Sequence, residues 1–581
     1  MRFFWVLLVL ACFVAFFELG HRDIVTDTEG MRAAPAAEML RSGDFVIPTL
    51  NGERYLAKPP LLYWTIAGAY KLTGSITALT ARIPSALSGI LLALAAYLVF
   101  RREAGEMAAR WTAFTLIASP YVLERMRLAE IDIPLTLMTF LAMVGLRYAC
   151  LAKTLLRSAT LTLAAGAALG AAVLLKGPVP LLFVTAAAVG HVILEGPEHG
   201  RAIRLAVIWS VVAGAVAFVY MFYPLPVPIP LLLVCGVWIY CAWRYGGGRL
   251  KTGVILGITI VLGIAIAAPW GAAVLHRVGW ERVQELFRGE VVERTYVASR
   301  INAGDPLYYF YGLPLALAPW GLLLPMHASR LEWRHRPGVY RFCVLTGWLS
   351  ITIFSMIAGK EYKYVLPAVP FLLLATGCHL SALNLSLRER WVAIWLRALP
   401  YLLPLAATVG AVLITRRQPF PSLWISVWGM ALAMVVALLY RRYSRRLDLS
   451  RIAFMGLMAV MIWQLSRCYL YTGEKSPKAL GEECRLLIEN GYTVESAKVY
   501  PGLAFYAATT IPVEQNPERV QLNLAGPEPY YYVAAQSVLA PLISTGDSNL
   551  IRYRSRPFTG NKLVLIGNRP LPDFSLKAAT R

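Results

Sequence analysis

The chain has 581 residues, 58% of them hydrophobic and 15% charged, against about 25% charge in an ordinary soluble domain. The net charge is +23, but the Lys and Arg residues sit in short connections between apolar runs, where membrane topology accounts for them and nucleic acid does not. The eight cysteines are scattered without a CxxC pair, which excludes a disulfide framework or a cysteine-based metal site.

The apolar runs predict a polytopic α-helical membrane protein with about 13–15 transmembrane helices. Candidate spans fall near 3–20, 84–100, 110–121, 133–150, 158–175, 178–194, 203–222, 225–243, 252–275, 308–326, 340–358, 363–383, 397–415, 422–440 and 450–466. The first carries Arg2 before its apolar run and no small-residue cleavage pattern after it, so it is expected to stay as an uncleaved anchor. Residues 1–472 form the membrane domain in this reading. Residues 473–581 turn polar, with a helix-like stretch Pro477–Asn490 and strand-like runs Ser496–Val499 and Lys562–Ile566, which predicts a small α/β soluble domain.

Alternate connections are rich in arginine: Arg101, Arg102 and Arg110, then Arg201 and Arg204, then Arg244 and Arg249, and finally Arg441, Arg442, Arg445 and Arg446. By the positive-inside rule these face the cytoplasm, so the N-terminus is inside and the C-terminal domain outside. Three polar loops, 21–83, 122–132 and 276–307, then fall on the outer side.

The chemistry-bearing residues concentrate there. Asp27 and Glu29 follow the first span at the membrane surface, and Lys58 precedes Pro59-Pro60 and the aromatic pair Tyr63-Trp64. The following proline keeps Lys58 out of helical geometry, and Tyr63 and Trp64 suit the headgroup level. Taken alone, Lys58 is explained equally well by snorkelling. Asp132 opens a span at Ile133-Pro134, where it is either a helix cap or a second carboxylate of one site. Lys176, Arg294, Lys360 and Lys363 stand on the side where topology does not favour cations, and an anionic lipid headgroup supplies a reason for them. The spans themselves are nearly free of ionisable residues, which speaks against the alternative of a transporter or lipid flippase.

The stretch from Glu29 to Gly74 resembles the first outer loop of the family that contains the 4-amino-4-deoxy-L-arabinose lipid A transferase and the dolichyl-phosphate-mannose protein mannosyltransferases. The resemblance is carried by Glu38-Met39-Leu40, Ser42-Gly43-Asp44, Pro48, Asn51-Gly52, Tyr55, Lys58-Pro59-Pro60-Leu61 and Tyr63-Trp64. It continues through Asp132, Lys176-Gly177-Pro178, Pro269-Trp270, Arg294, Pro319-Trp320 and Lys363-Tyr364-Val365-Leu366-Pro367. It implies the GT-C fold and inverting transfer of a sugar from a polyprenyl-phosphate donor to a lipid, glycan or protein acceptor. On that reading Asp27 or Glu29 is the base, with Asp132 orienting base or acceptor. Lys58 and Arg294 hold the donor phosphate, supported by Lys176, Lys363 and Tyr364.

This sequence departs from the family pattern in three places. Thr28-Glu29 stands where the family has an Asp-Glu pair, Ala57 precedes the Lys-Pro-Pro, and Val291 stands three residues before Arg294. The last two positions hold metal ligands in the arabinose transferase, so its zinc site is not expected here, and the lack of a nucleotide-binding fingerprint, in keeping with a lipid-linked donor, predicts no nucleotide cofactor.

Overall fold

The computed structural model describes residues 2–195, 249–287, 305–317, 320–328, 338–357, 359–381, 476–535, 537–539, 551–553, 557–558 and 561–572. The expected spans 203–222, 225–243, 397–415, 422–440 and 450–466, the start of the C-terminal domain at 473, and Arg294 lie outside the described residues.

The first helix, α1 (Arg2–Phe16), is apolar after Arg2. The outer loop then folds into α2 (Asp27–Ser42), a two-stranded hairpin of β1 (Thr49–Leu50) and β2 (Glu53–Arg54), and α3 (Leu61–Thr73). Thr26 caps α2 by accepting from the Glu29 amide, and Asp27 and Glu29 occupy its first turn, where carboxylates complement the helix dipole. The helix stops at Gly43, whose φ of 73° is left-handed backbone that suits glycine.

A Thr77–Thr80 capping box starts α4 (Ala78–Phe100), five residues earlier than the end of the expected 21–83 loop. The expected 110–121 span is α5 (Glu106–Ile117), which stops short of it. The chain breaks at Ser119 and resumes as α6 (Pro120–Met126), because Pro120 cannot donate into a continuing helix. Three helices follow: α7 (Asp132–Leu151), α8 (Leu155–Lys176) and α9 (Val179–Glu195). Beyond them are α10 (Arg249–Val278), α11 (Trp280–Phe287), α12 (Tyr308–Ala316), a 3-10 segment Trp320–Ala328, and α13 (Gly338–Ser355). A 3-10 turn, Tyr362–Ala368, leads directly into α14 (Val369–Ser381).

Among the described residues six segments are long and apolar enough to cross a membrane, and Phe3–Phe16 and Val179–Leu194 are shorter apolar helices. Their packing uses small residues, which let helices approach closely without help from a hydrophobic effect. A Cβ on Gly377 of α14 would meet the Ala108 carbonyl oxygen of α5 at 2.6 Å, and one on Gly170 of α8 would meet the Ile266 side chain of α10 at 2.7 Å.

Two apolar clusters organise the membrane part. The larger joins α1, α4, α5, α7, α9, α13 and α14 around Tyr97, Phe140, Phe342 and Phe371. The second lies where α2 and α3 cover the ends of α4, α7 and α8, with Tyr63, Ile66, Ala129 and Leu175 in it.

The C-terminal part is α/β, as expected. Its helices are α15 (Lys478–Glu489), α16 (Pro501–Ala507) and α17 (Pro517–Ala525). Its strands are β3 (Thr493–Ser496), β4 (Tyr530–Ala535), β5 (Ile551–Tyr553), β6 (Pro557–Phe558) and β7 (Asn561–Gly567). The order is β3-β4-β7-β5, with β6 pairing β7; β3 runs parallel to β4, and the β4–β7 pairing is antiparallel. The first strand sits earlier than the expected Ser496–Val499, since the chain turns away after Ser496 to reach α16. This part docks on the outer loop. Asn51 exchanges two hydrogen bonds with the backbone of Ile511, at 2.7 and 2.8 Å. Gly30 of α2 meets α16 so closely that a Cβ would fall 2.6 Å from the Gly502 nitrogen.

Candidate active site

The site is built at one end of the helical bundle, where the starts of α4 and α7 and the end of α8 meet α2 and the 3-10 turn Tyr362–Ala368. Helix α2 is pinned there by a buried ion pair. Glu29 and Arg82 are 0% and 1% exposed. Arg82 Nε donates to Glu29 Oε1 at 2.8 Å and Nη2 donates to Oε2 at 3.2 Å. The Ala129 amide donates to Oε1 at 3.0 Å, and Arg22 approaches Oε2 at 3.5 Å. Burial raises the Glu29 carboxyl, but Arg82, Arg22 and the hydrogen bonds outweigh it and hold it below its ordinary value. Each oxygen already faces two donors, which leaves Glu29 no room to serve as the base. Its geometry is that of an anchor. Asp27, the other loop carboxylate, is exposed. Desolvation by the surrounding chain raises its carboxyl, with Lys498 of the C-terminal part opposing.

Three elements distant in sequence contribute to the centre of the site. Asp132, the first residue of α7, pairs with Lys176, the last residue of α8, at 3.2 Å. The Lys176 ammonium also sits over the Tyr364 ring, 4.8 Å from its centroid, a favourable cation–π placement. The Tyr364 hydroxyl donates to Glu361 Oε1 at 3.0 Å, and Lys363 pairs with Glu361 Oε2 at 2.6 Å. Gly177 has a φ of 63°, so the chain turns sharply just after Lys176. Asp132, Lys176, Tyr364, Glu361 and Lys363 are thus linked through successive contacts.

Glu130 and Arg125 join this group and were not singled out from the sequence. Arg125 Nη1 pairs with Glu130 Oε2 at 2.6 Å, and the Thr28 hydroxyl donates to Glu130 Oε1 at 2.7 Å. Burial raises the Glu130 carboxyl; Arg125 opposes this and the nearby Asp132 adds to it. The i, i+2 spacing of Glu130 and Asp132 was the available signal, but a loop conformation decides whether such a pair converges. Arg82 was hidden in what reads as the entry to an ordinary apolar span.

Lys58 lies in the outer loop between β2 and α3. It is partly buried, and its ammonium donates to the Ala57 carbonyl at 2.8 Å. Arg32 Nη1 donates to the Tyr63 hydroxyl at 2.9 Å in the buried face between α2 and α3. Helix α10 reaches the same loop: Trp270 donates to the Val46 carbonyl at 2.9 Å, and Arg277 pairs with Asp44 at 2.8 Å. Among the described residues no group of three or more His, Cys, Asp or Glu is arranged to hold a metal ion; Val291 lies outside them.

A membrane bundle with a helical outer loop over one end, an ion network beneath that loop and a small α/β unit docked on it defines a GT-C type membrane protein. Residues 5–235 match the family model described as dolichyl-phosphate-mannose-protein mannosyltransferase. An uncharacterized protein of Aquifex aeolicus (strain VF5) is 25% identical over 69% of each chain. The undecaprenyl phosphate-alpha-4-amino-4-deoxy-L-arabinose arabinosyl transferase of Pectobacterium carotovorum subsp. carotovorum (strain PC1) is 27% identical over 67% of this chain and 62% of its own length. The chain thus spans less than two thirds of that relative. The crystal structure of ArnT from Cupriavidus metallidurans bound to undecaprenyl phosphate superposes with a TM-score of 0.70 at 21% identity, covering 97% of this chain and 98% of that one. The chain therefore shares the fold of that crystal structure, and its first 235 residues are similar to the mannosyltransferase family model.

Proposed function

We propose that this protein is an inverting glycosyltransferase of the bacterial inner membrane. It moves a sugar from a polyprenyl-phosphate donor to a lipid, glycan or protein acceptor on the outer face. The observation that carries this reading is the convergence of Lys176, Lys363 and Arg125 with Asp132 and Glu130 at one end of the bundle, beneath the loop that bears Lys58. Arg-rich connections at the opposite end, such as Arg101 and Arg102 after α4, support a cytoplasmic N-terminus and an outer-facing C-terminal domain.

In this reading the acceptor oxygen attacks the anomeric carbon while the polyprenyl phosphate leaves from the opposite side. Charge builds on the leaving phosphate, and fixed cations in a site with little water stabilise it. Lys176 and Lys363 flank that phosphate, Tyr364 orients Lys176, and Lys58 and Arg294 are the outer-loop cations assigned to hold it. Asp132 holds Lys176 in place. Glu29 fixes α2, so that Asp27, open at the mouth, meets the incoming acceptor. The reaction needs neither a nucleotide nor a metal, because the donor is already lipid-linked and the cations are side chains.

The test is binding of undecaprenyl phosphate to the purified protein. A charge-assisted phosphate contact contributes about 1.5–3 kcal/mol, so Lys58→Ala and Arg294→Ala should each weaken binding by roughly 10- to 100-fold. Arg102→Ala, at the other end of the bundle, is the control. Wild-type affinity in both outer-loop variants would refute the phosphate assignment.

A further inference from the structure

The cations of the site are nearly cancelled by its own carboxylates. Arg125, Lys176 and Lys363 face Glu130, Asp132 and Glu361. Helix α6 carries a further carboxylate, Glu124, and Tyr121, whose ring lies 5.1 Å from the Arg125 guanidinium. With every carboxyl ionised, this cluster holds no surplus positive charge for a leaving phosphate. Glycosyl transfer makes that problem acute. A sugar phosphodiester carries one negative charge, whereas the free polyprenyl phosphate it becomes carries up to two.

Glu130 is placed to resolve it. The residue is 5% exposed, and where each Glu29 oxygen meets two donors, Glu130 Oε1 accepts from Thr28 and Oε2 from Arg125. Thr28 belongs to the first turn of α2, next to Asp27 at the mouth. It stands where the family resemblance places an acidic residue, so Glu130 brings to that position, from another loop, the carboxyl that the sequence lacks there.

We propose that Glu130 receives the proton lost by the acceptor, through the Thr28 hydroxyl, and keeps it while the polyprenyl phosphate is bound. The inference rests on the lipid-phosphate reading above. In the step, the acceptor oxygen bonds to the anomeric carbon and the bond from that carbon to the phosphate oxygen breaks. Its electron pair stays on the phosphate, and the acceptor proton passes to Thr28 Oγ1 as the Thr28 proton passes to Glu130 Oε1. The cluster becomes more positive by one charge as the phosphate becomes more negative by one. Asp27 holds the acceptor hydroxyl at the mouth, and Arg125, Asp132, Lys176, Lys363 and Glu361 set the field in which Glu130 titrates. Burial already favours its neutral form.

Undecaprenyl phosphate alone tests the product state, without knowledge of sugar or acceptor. Its affinity for the wild-type protein and for Glu130→Gln is measured from about pH 5.5 to 9, with titration calorimetry in two buffers of different ionisation enthalpy. Glutamine mimics the protonated carboxyl. The variant should bind as tightly as wild type at low pH, and its advantage should grow toward about tenfold per pH unit once Glu130 ionises in the free protein. Wild type should take up about one proton more than the variant on binding. Parallel pH curves with equal proton uptake, or weaker binding by the variant at every pH, overturn the proposal. If glutamine prevents folding, Glu130→Ala takes its place with the same expectations. Failure of the wild type to bind at any pH overturns the lipid-phosphate reading itself, and is distinguished from failure of Glu130's role because both proteins then give no signal.

Discussion

Replacing Arg82 with alanine tests the anchor of the outer loop most directly. All of the guanidinium's N–H groups are used. Besides the two bonds to Glu29, Nη1 donates to the carbonyls of Leu19 and Arg22 at 2.8 and 2.6 Å, and Nη2 donates to the carbonyl of Asp23 at 3.1 Å. One side chain therefore ties the end of α1, the start of α2 and the start of α4. Removing it leaves the Glu29 carboxylate buried with Arg22 and one amide as partners. Loss of one member of a buried ion pair costs about 3–5 kcal/mol, a large part of the roughly 5–15 kcal/mol that holds a typical domain folded. Thermal unfolding in detergent or nanodiscs, together with SDS titration, reads the change. The paired swap Glu29→Leu with Arg82→Met should recover only part of the loss. It removes the stranded charge but still leaves the three carbonyls without their donor. Arg82→Ala within about 1 kcal/mol of wild type, or full recovery in the double variant, would refute the anchor.

The same pair sets an acid limit. Glu29 is held below its ordinary value of 4.5, so its contribution is complete above that value and disappears as pH falls through the lower folded value. Wild-type stability should decline on that limb, and Arg82→Ala should flatten it in an acid unfolding series. Chelator treatment should leave binding and transfer unchanged, with Ala57 and Val291 at the two positions where the resemblance places metal ligands. Stoichiometric zinc lost together with activity would contradict this. Reporters fused within 330–339 and 441–449 should report the cytoplasm, and one after Gly473 the outside. A cytoplasmic reporter at the last position would reverse the site's assignment to the outer face.

Much of this site was readable because its residues break local rules. Lys176, Lys363 and Asp132 are charges at the edges of apolar segments, and such charges are costly unless something employs them. Alternation of basic and acidic connections predicts one side of the membrane for them, and in the structure Lys176 pairs with Asp132 while Lys363 pairs with Glu361. The choice between Asp27 and Glu29 was not readable. Both occupy one helical turn, and nothing local distinguishes them. What does so is Arg82, 53 residues further on, which takes Glu29 out of use as a base. Glu130 was missed for the converse reason, since an acidic residue in an outer loop is ordinary until its burial is known.

From the residues alone come the solvent of the chain and the order of its apolar segments. These follow from hydropathy and charge counted along the chain, and neither depends on which helices touch. Only the tertiary structure decided which carboxylates are anchors and which stay available. Availability depends on how many donors surround an oxygen, and those donors come from the loop after α1, from α2, α4 and α6, and from the loop before α7. It also decided that the C-terminal unit sits on α2: Gly30, unremarkable in sequence, is the point where α16 comes too close for any side chain.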